Sequence, residues 1–226
     1  MIAKVVALRD LIQARRWKVE IFTDASGLDL GSNWPSLPMA DLATESTLAV
    51  APSELGEETV FYVGLENVEP VTGEPIALER RPPSLIRSRS KVFERGQVLY
   101  GRLRPYLRKA FLASPPYDKG ICSTEFLVLC TNTNLILPEV LRALLISQAM
   151  TQQISRFQVG AALPRISSRD FFSLSLPVPP MEAQETWLRN LATMEAAYRT
   201  ARNLVSSYPA QLDVSLEALT MGAEMA

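Results

Sequence analysis

The side chains with the clearest chemistry are arginines and lysines concentrated between residues 80 and 169. This segment holds 15 basic and 4 acidic residues, whereas residues 1–79 hold 5 and 13, and residues 170–226 hold 3 and 7. The formal net charge of −1 is therefore a cancellation between segments. Arginine dominates the basic segment and favours bidentate contacts with phosphates and guanine edges. This distribution predicts a polyanionic partner.

A second candidate for chemistry is the tetrapeptide Ser114-Pro115-Pro116-Tyr117, which matches a four-residue signature of amino-methyltransferases. In that signature the first side chain and the backbone hold the target amine while the ring stacks on a flipped base. A methyl donor would need a glycine-rich turn between strand and helix, and the sequence contains no G-x-G-x-x-G. We interpret the tetrapeptide as a turn between strands. A small SAM-dependent amino-methyltransferase stays open as the alternative.

The absence of histidine argues against hydrolases and zinc enzymes. The chain has no histidine, so it cannot build a Ser-His-Asp or Cys-His nucleophile or a His-ligated metal site. Cys122 and Cys130 lie eight residues apart on what the pattern predicts to be one strand, beyond disulfide reach, and we expect them to be core thiols. We expect no catalytic residues, no metal and no cofactor. Neither a membrane span nor a signal peptide is predicted, so we expect a cytoplasmic protein.

Strands in the middle of the chain are expected to position the basic residues. The pattern predicts strands at Thr59–Leu65, Gln97–Leu103, Lys109–Ala113, Ile121–Cys130 and Leu174–Val178. One helix is predicted from Pro138 to about Gln153, and a small-residue loop from Gln158 to Arg165. Before these, we predict a helix at residues 6–16, a strand at residues 17–22 and a loop at residues 24–38.

The C-terminal region has a different period. Apolar residues there follow a 4-3-4-3 spacing that is typical of a helix packed along another helix. This heptad seam consists of Trp187, Leu191, Met194, Tyr198, Ala201, Val205 and Tyr208. Pro209 is expected to interrupt the helix, with residues 211–219 forming a further helix that turns back or continues with a kink. The alternative is a helix laid back on its own domain.

Four segments in order carry a family resemblance. They are WPSLPMADL, VFYVGLENVEPVTGEPI, VFERGQVLYGRLRPYLRKAFLA with GICSTEFLVL, and GAALPRISSRDFFSLSLPVPPMEAQETWLRNL. Together they cover about residues 34–193, which resemble a target-recognition domain of the specificity subunit of type I restriction-modification systems. Family members usually carry two recognition domains and two long helices, whereas this chain has length for one of each. It therefore resembles a half-subunit. Ala183 stands where the family usually has Glu.

The resemblance implies a DNA-reading protein that is not itself an enzyme. Its implied partners are double-stranded DNA, an adenine methyltransferase subunit, a restriction subunit, and a second copy or another half-subunit that pairs through the heptad seam. A stand-alone DNA-binding regulator or anti-restriction protein stays open as a further alternative. We expect DNA contacts from Arg87, Arg89, Lys91, Arg102, Arg104, Arg108, Lys109, Arg156, Gln158, Gly160 and Arg165. Arg102 and Arg104 are expected to share one strand face.

The predicted fold class is α+β. A mixed, mostly antiparallel β recognition domain with packed helices is expected at residues 34–180, and a helical dimerisation or partner-binding arm at residues 181–226. Residues 1–33 form an extension that resembles nothing we can assign.

Overall fold

The structure, a computed structural model, describes residues 34–157 and 163–223. The chain divides into two compact units, one ending at Met181 and the other beginning at Glu182. The helix predicted at residues 6–16, the strand at residues 17–22, and Gln158 to Ala162 of the predicted loop lie outside the described residues.

The first unit contains three β-sheets in its described residues. The strands are β1 (Ser36–Pro38), β2 (Ala43–Glu45), β3 (Ala49–Val50), β4 (Val60–Val63), β5 (Arg80–Arg81), β6 (Ser90–Phe93), β7 (Val98–Gly101), β8 (Ala110–Leu112), β9 (Gly120–Cys122), β10 (Phe126–Thr131) and β11 (Ser175–Pro177). One sheet has the order β2-β10-β7-β8, a second has β3-β6-β9-β4-β5, and β1 pairs with β11. The β4–β9 pair is parallel and the other pairs are antiparallel.

Helices connect and cover these sheets. They are α1 (Met39–Leu42), α2 (Pro138–Leu145), α3 (Gln148–Ser155), α4 (Ser168–Phe172) and α5 (Met181–Ala223). Helix α2 packs against β7 and β8, and α3 packs against a short 3-10 helix at Pro105–Leu107. The predicted class, α+β with a mixed and mostly antiparallel sheet arrangement followed by a long helix, is confirmed.

The apolar core joins strands of the two large sheets. Every residue of β7 is buried, and so are the first four residues of β10, which is the pattern of strands covered on both faces. Phe93 of β6 meets Phe111 of β8 edge-on, with ring centroids 6.2 Å apart. Strands β7 and β8 pair up to Tyr100 and Ala110, so the loop between them starts at this covered part of the sheet.

Two predicted elements are each divided in the structure. The predicted strand Ile121–Cys130 is wrong, because β9 and β10 belong to different sheets. Ser123 makes the break: its hydroxyl accepts from the Glu125 N–H, and its carbonyl accepts from the Phe126 N–H. The single helix predicted to reach Gln153 is also wrong. Ser147 caps α3 by accepting from the Met150 N–H, so a new helix begins where α2 ends.

Other predictions have mixed outcomes. The predicted strand at Leu174–Val178 is confirmed as β11, but its partner β1 lies within the region predicted as a loop. The turn at Ser114–Tyr117 is confirmed by a 2.8 Å hydrogen bond from the Tyr117 N–H to the Ser114 carbonyl. Cys122 is buried and Cys130 half-buried, both as free thiols, and burial raises the pKa of Cys122 to about 12.

The second unit is described by helix α5, which has 43 residues. At about 1.5 Å per residue it is roughly 64 Å long. Helix α5 continues through Pro209 without a break, so the predicted alternative in which residues 211–219 turn back is wrong and the alternative in which they continue the helix holds. Over the described residues, no helix combines the length and apolar character that a membrane crossing requires.

Candidate nucleic-acid interface

The arginine-rich loop between β7 and β8, residues Arg102–Lys109, is the centre of the candidate site. We call it the arginine loop. Its first residues leave the sheet and join another segment: the Arg104 N–H donates to the Pro164 carbonyl at 2.7 Å, and the Ile166 N–H donates to the Arg102 carbonyl at 3.1 Å. The sequence prediction of a strand as far as Leu103 is therefore wrong beyond Gly101.

Arg102 and Arg104 consequently do not share a strand face. Arg102 is half-buried, and its Nε is buried without a hydrogen-bond partner. Arg104 is exposed and has a left-handed backbone, with φ of 49°. The alternation that the prediction assumed ends where the chain turns out of β7. The two side chains therefore have different environments and are expected to act differently.

Left-handed backbone recurs around the arginine loop. Arg104 and Arg108, with φ of 49° and 52°, are the residues on either side of the 3-10 helix Pro105–Leu107. Val71, with φ of 72°, donates its N–H to the Arg108 carbonyl at 3.1 Å. Such a conformation costs about 1–3 kcal/mol for a residue other than glycine, and it persists where neighbouring structure enforces it, most often at functional sites.

Two of the predicted contact cations have partners within the fold. Lys109 donates from Nζ to the Leu65 carbonyl at 2.6 Å. Burial lowers the pKa of Lys109, and the charge of Glu66 opposes that effect. Arg165 makes a bidentate pair with Glu125, with Nη2 2.9 Å and Nε 3.2 Å from the carboxylate oxygens. Hydrogen bonding to Glu125 raises the pKa of Arg165. These two cations are committed to intramolecular partners.

Exposed side chains gather around the same loop. Arg104 is exposed and Arg108 is half-buried. Between them Tyr106 is 51% exposed, and the flanking segments contribute Val71 at 44% and Leu163 at 43%. The surface around the arginine loop therefore combines arginines with an exposed aromatic ring and two exposed apolar side chains.

Lys91 has a different environment from the other candidates. Its Nζ donates to Glu45 Oε1 at 2.8 Å and to the Phe126 carbonyl at 2.7 Å. Because Lys91 is on β6 and both partners are on β2 and β10, the ammonium links the two large sheets. Burial alone would raise the pKa of Glu45, but hydrogen bonds from Lys91 and Ser168, with the charges of Lys91 and Arg102, lower it.

The remaining candidates are spread over other elements. Arg87 and Arg89 are exposed before β6, and Arg89 Nη2 donates to the Ala49 carbonyl at 3.3 Å. Arg156 is half-buried directly after α3, the helix that packs against the 3-10 helix of the arginine loop. Gln158 and Gly160 lie outside the described residues.

Sequence reasoning missed Tyr106, Val71 and Leu163, and it missed the partners that occupy Lys91 and Arg165. The turn itself was predicted, because residues 104–108 with Pro105 were placed between two strands, but nothing in it indicated an exposed ring at Tyr106. Other basic residues are held by aromatic rings, which charge counting could not show. The guanidinium carbons of Arg80 and Arg81 lie 4.8 Å and 5.1 Å from the ring centroids of Phe61 and Tyr62.

Helix α5 carries the heptad seam on its surface. Five of the apolar residues predicted for this seam are exposed, namely Trp187, Met194, Tyr198, Val205 and Tyr208, and Leu191 is half-buried. Ala201 is also exposed. A row of exposed apolar side chains is typical of a helix that packs against a partner.

Comparison with known proteins shows that this chain is similar to type I specificity subunits. No family model matches the chain. The HindI specificity subunit of Haemophilus influenzae is 34% identical over 98 residues, which cover 42% of this chain and 21% of that protein. The EcoDI specificity subunit of Escherichia coli is 22% identical over 182 residues, covering 80% of this chain and 39% of that protein. The chain thus matches less than half the length of these relatives.

Solved structures agree. A chain of a type I restriction-modification system, solved to explain its complex assembly and conformational transition, has a TM-score of 0.64 and 26% identity, covering 85% of this chain and 49% of its own. The HsdS subunit from Thermoanaerobacter tengcongensis has a TM-score of 0.65 and 25% identity, covering 77% and 45%. The resemblance to type I specificity subunits is confirmed. It extends over roughly half of such a subunit, and the subunit from M. genitalium, 12% identical with a TM-score of 0.54, shares the fold.

Proposed function

We propose that this chain reads a DNA sequence and directs a partner adenine methyltransferase to it, as a specificity subunit of a type I-like restriction-modification complex. The observation that carries the proposal is the arginine loop. This loop lies in the first unit, within the part of the chain that is similar to type I specificity subunits. A DNA reader needs cations for phosphates and other side chains for base edges, and this loop offers both. In this proposal the partner methyltransferase, and not this chain, methylates the bases.

Several of the predicted contact residues have charged or carbonyl partners close by. Lys91, Lys109 and Arg165 are engaged within the fold and support the shape of the interface. Arg104 is exposed, and Arg108 is half-buried beside it in the arginine loop. We therefore assign phosphate contacts first to Arg104 and Arg108, and next to the exposed Arg87 and Arg89. Arg156, Gln158 and Gly160, the last two outside the described residues, complete the proposed footprint.

The exposed heptad seam of α5 would supply pairing with a second copy or another half-subunit. Its 22 residues from Trp187 to Tyr208 span about 33 Å, close to one turn of DNA. Two units paired in this way would read a split site, and a two-fold axis would make that site an inverted repeat. A restriction subunit is a further partner of such a complex.

DNA binding by the complex with its methyltransferase tests the proposal. Sites selected from a random pool should be bound, and log Kd should rise linearly with log salt. The double substitution of Arg104→Ala and Arg108→Ala should reduce that slope by about 0.9 for each phosphate that is no longer neutralised. Arg95→Ala is the matched control, because Arg95 belongs to the same basic segment but pairs with Asp118 at 3.2 Å. An unchanged slope in the double variant would remove both arginines from the footprint.

Two further outcomes separate the rival functions. A stand-alone methyltransferase should bind S-adenosylmethionine without a partner, whereas a specificity subunit should not. A DNA-binding regulator or anti-restriction protein should purify from its host without a methyltransferase. Co-purification of the tagged chain therefore distinguishes the specificity subunit from the regulator.

A further inference from the structure

Tyr106 is the most exposed aromatic residue in the described part of the first unit, at 51% against 38% for Trp34. It is the middle residue of the 3-10 helix Pro105–Leu107 and is half exposed to solvent. By contrast, Tyr100 is buried, and Tyr62 and Tyr117 are half-buried. Packing of the fold does not require an exposed ring at this point.

The backbone holds Tyr106 in a preorganised turn. The Leu107 N–H donates to the Arg104 carbonyl and the Arg108 N–H donates to the Pro105 carbonyl, both at 2.9 Å. Outside the turn, Pro164 and Val71 each make a backbone hydrogen bond to one of the two left-handed arginines. A side chain on a turn fixed from both ends loses little further freedom on binding, which favours its use for recognition.

The segments that adjoin Tyr106 carry both apolar and cationic side chains. Val71 and Leu163 are exposed on the two segments that are hydrogen-bonded to the loop, whereas Arg104 and Arg108 adjoin the turn itself. Phosphates attract the arginines but offer nothing to the apolar side chains. In the major groove, the apolar group that a base pair displays is the C5-methyl group of thymine.

We propose that Tyr106 is a specificity-determining residue whose ring contacts a thymine methyl group in the major groove. This inference rests on the proposed function and deepens it. Val71 and Leu163 exclude water around the contact, and the neighbouring arginines set the register of the loop on the phosphates. The apolar ring edge, rather than the phenolic hydroxyl, supplies the preference.

Site selection followed by single-base replacement tests this assignment. The complex with its methyltransferase is used to select DNA from a random pool, with the wild-type chain, Tyr106→Phe and Tyr106→Ala. Each thymine of the selected site is then replaced by deoxyuridine, which removes only the methyl group. At one position the wild-type complex should lose about fourfold in affinity, the effect of one buried methyl group. Tyr106→Phe should lose the same, and Tyr106→Ala should be insensitive there.

Leu85→Ala is a matched control variant. Leu85 lies on the 3-10 helix Pro83–Leu85, which also begins with proline, and it is 62% exposed. The residues flanking that helix have extended backbone, unlike Arg104 and Arg108. This variant should keep the wild-type sensitivity to deoxyuridine at every position.

The possible failures are distinguishable. If the wild-type complex selects a site but Tyr106→Ala keeps the same sensitivity at every thymine, the assignment of Tyr106 is overturned and the proposed function stands. Loss of the methyltransferase from the Tyr106→Ala complex would also overturn it, because the ring would then contact protein. If the wild-type complex selects no sequence, the proposed function fails and this inference fails with it.

Discussion

Replacing Lys91 by methionine tests whether its ammonium group stabilises the fold by joining the two large sheets. Methionine keeps the length of the aliphatic chain but removes the hydrogen bonds to Glu45 and to the Phe126 carbonyl. The side chains of Lys91 and Glu45 are 15% and 20% exposed. Hydrogen bonds involving charged groups contribute about 1.5–3 kcal/mol each, whereas exposed ion pairs contribute less than about 1 kcal/mol.

For a pair with this exposure, Lys91→Met should lower the free energy of unfolding by about 2 kcal/mol, which lies between the exposed and fully buried limits. Chemical denaturation at neutral pH measures the loss directly. A double-mutant cycle with Glu45→Gln should give a coupling energy of about 1 kcal/mol or more. Arg89→Met is the control, because Arg89 is exposed, and it should change stability by less than about 0.5 kcal/mol.

The pH dependence gives a second measurement on the same pair. The pKa of Glu45 is lowered in the folded chain, so its stabilising effect is fully present above the ordinary glutamate value of 4.5 and is lost as pH falls through the folded value. The difference in stability between wild type and Glu45→Gln should therefore shrink below about pH 4. A Lys91→Met protein as stable as wild type but weakened in DNA binding would refute the structural role and favour a phosphate contact.

Two other predictions follow from the fold. Gly73→Ala should destabilise the first unit by more than about 2 kcal/mol, because a Cβ there would lie 2.0 Å from the Ala110 carbonyl oxygen at a φ of +71°. Gly96→Ala is the matched control, since φ is +82° but no atom lies within 4 Å, and it should cost only about 1 kcal/mol in thermal or chemical denaturation. In the helical arm, Met194→Glu with Val205→Glu should abolish pairing through the heptad seam without lowering the stability of the first unit. Analytical ultracentrifugation of both proteins checks this. If the wild type sediments as a pair and the double variant has the same sedimentation coefficient, the prediction is contradicted.

The sequence predicted the fold class because its signals are local and periodic. Short apolar runs bounded by turns that contain proline or glycine indicated β4, β7 and β8, and the proline at the first turn of α2 indicated where that helix begins. The division at Ser123 was missed although Ser123, Thr124 and Glu125 interrupt the apolar run, because the pairing of strands into different sheets leaves no local pattern in the sequence. Ser147 looked like a helical residue, and only its side-chain hydrogen bond to Met150 shows that it begins a new helix.

The candidate site was predictable in position but not in detail. Charge counting identified the basic segment, and the arginine loop lies within it. Which cations are available depends on partners distant in sequence, such as Glu45 for Lys91 and Glu125 for Arg165, and no spacing rule predicts such pairs. The contribution of Tyr106 depends on a left-handed backbone at both ends of a 3-10 helix. The sequence predicts only that residues 104–108 lie between two strands, and a turn signal does not specify left-handed backbone at Arg104 and Arg108.

Mapping of N6-methyladenine across the host genome tests the central claim most directly. The map is compared for the host with the gene intact, with the gene deleted, and with the gene restored. If this chain directs a methyltransferase to DNA, one sequence motif should be methylated in the intact and restored strains and unmethylated in the deletion strain. Methylation that is the same at every motif in all three strains would contradict the account.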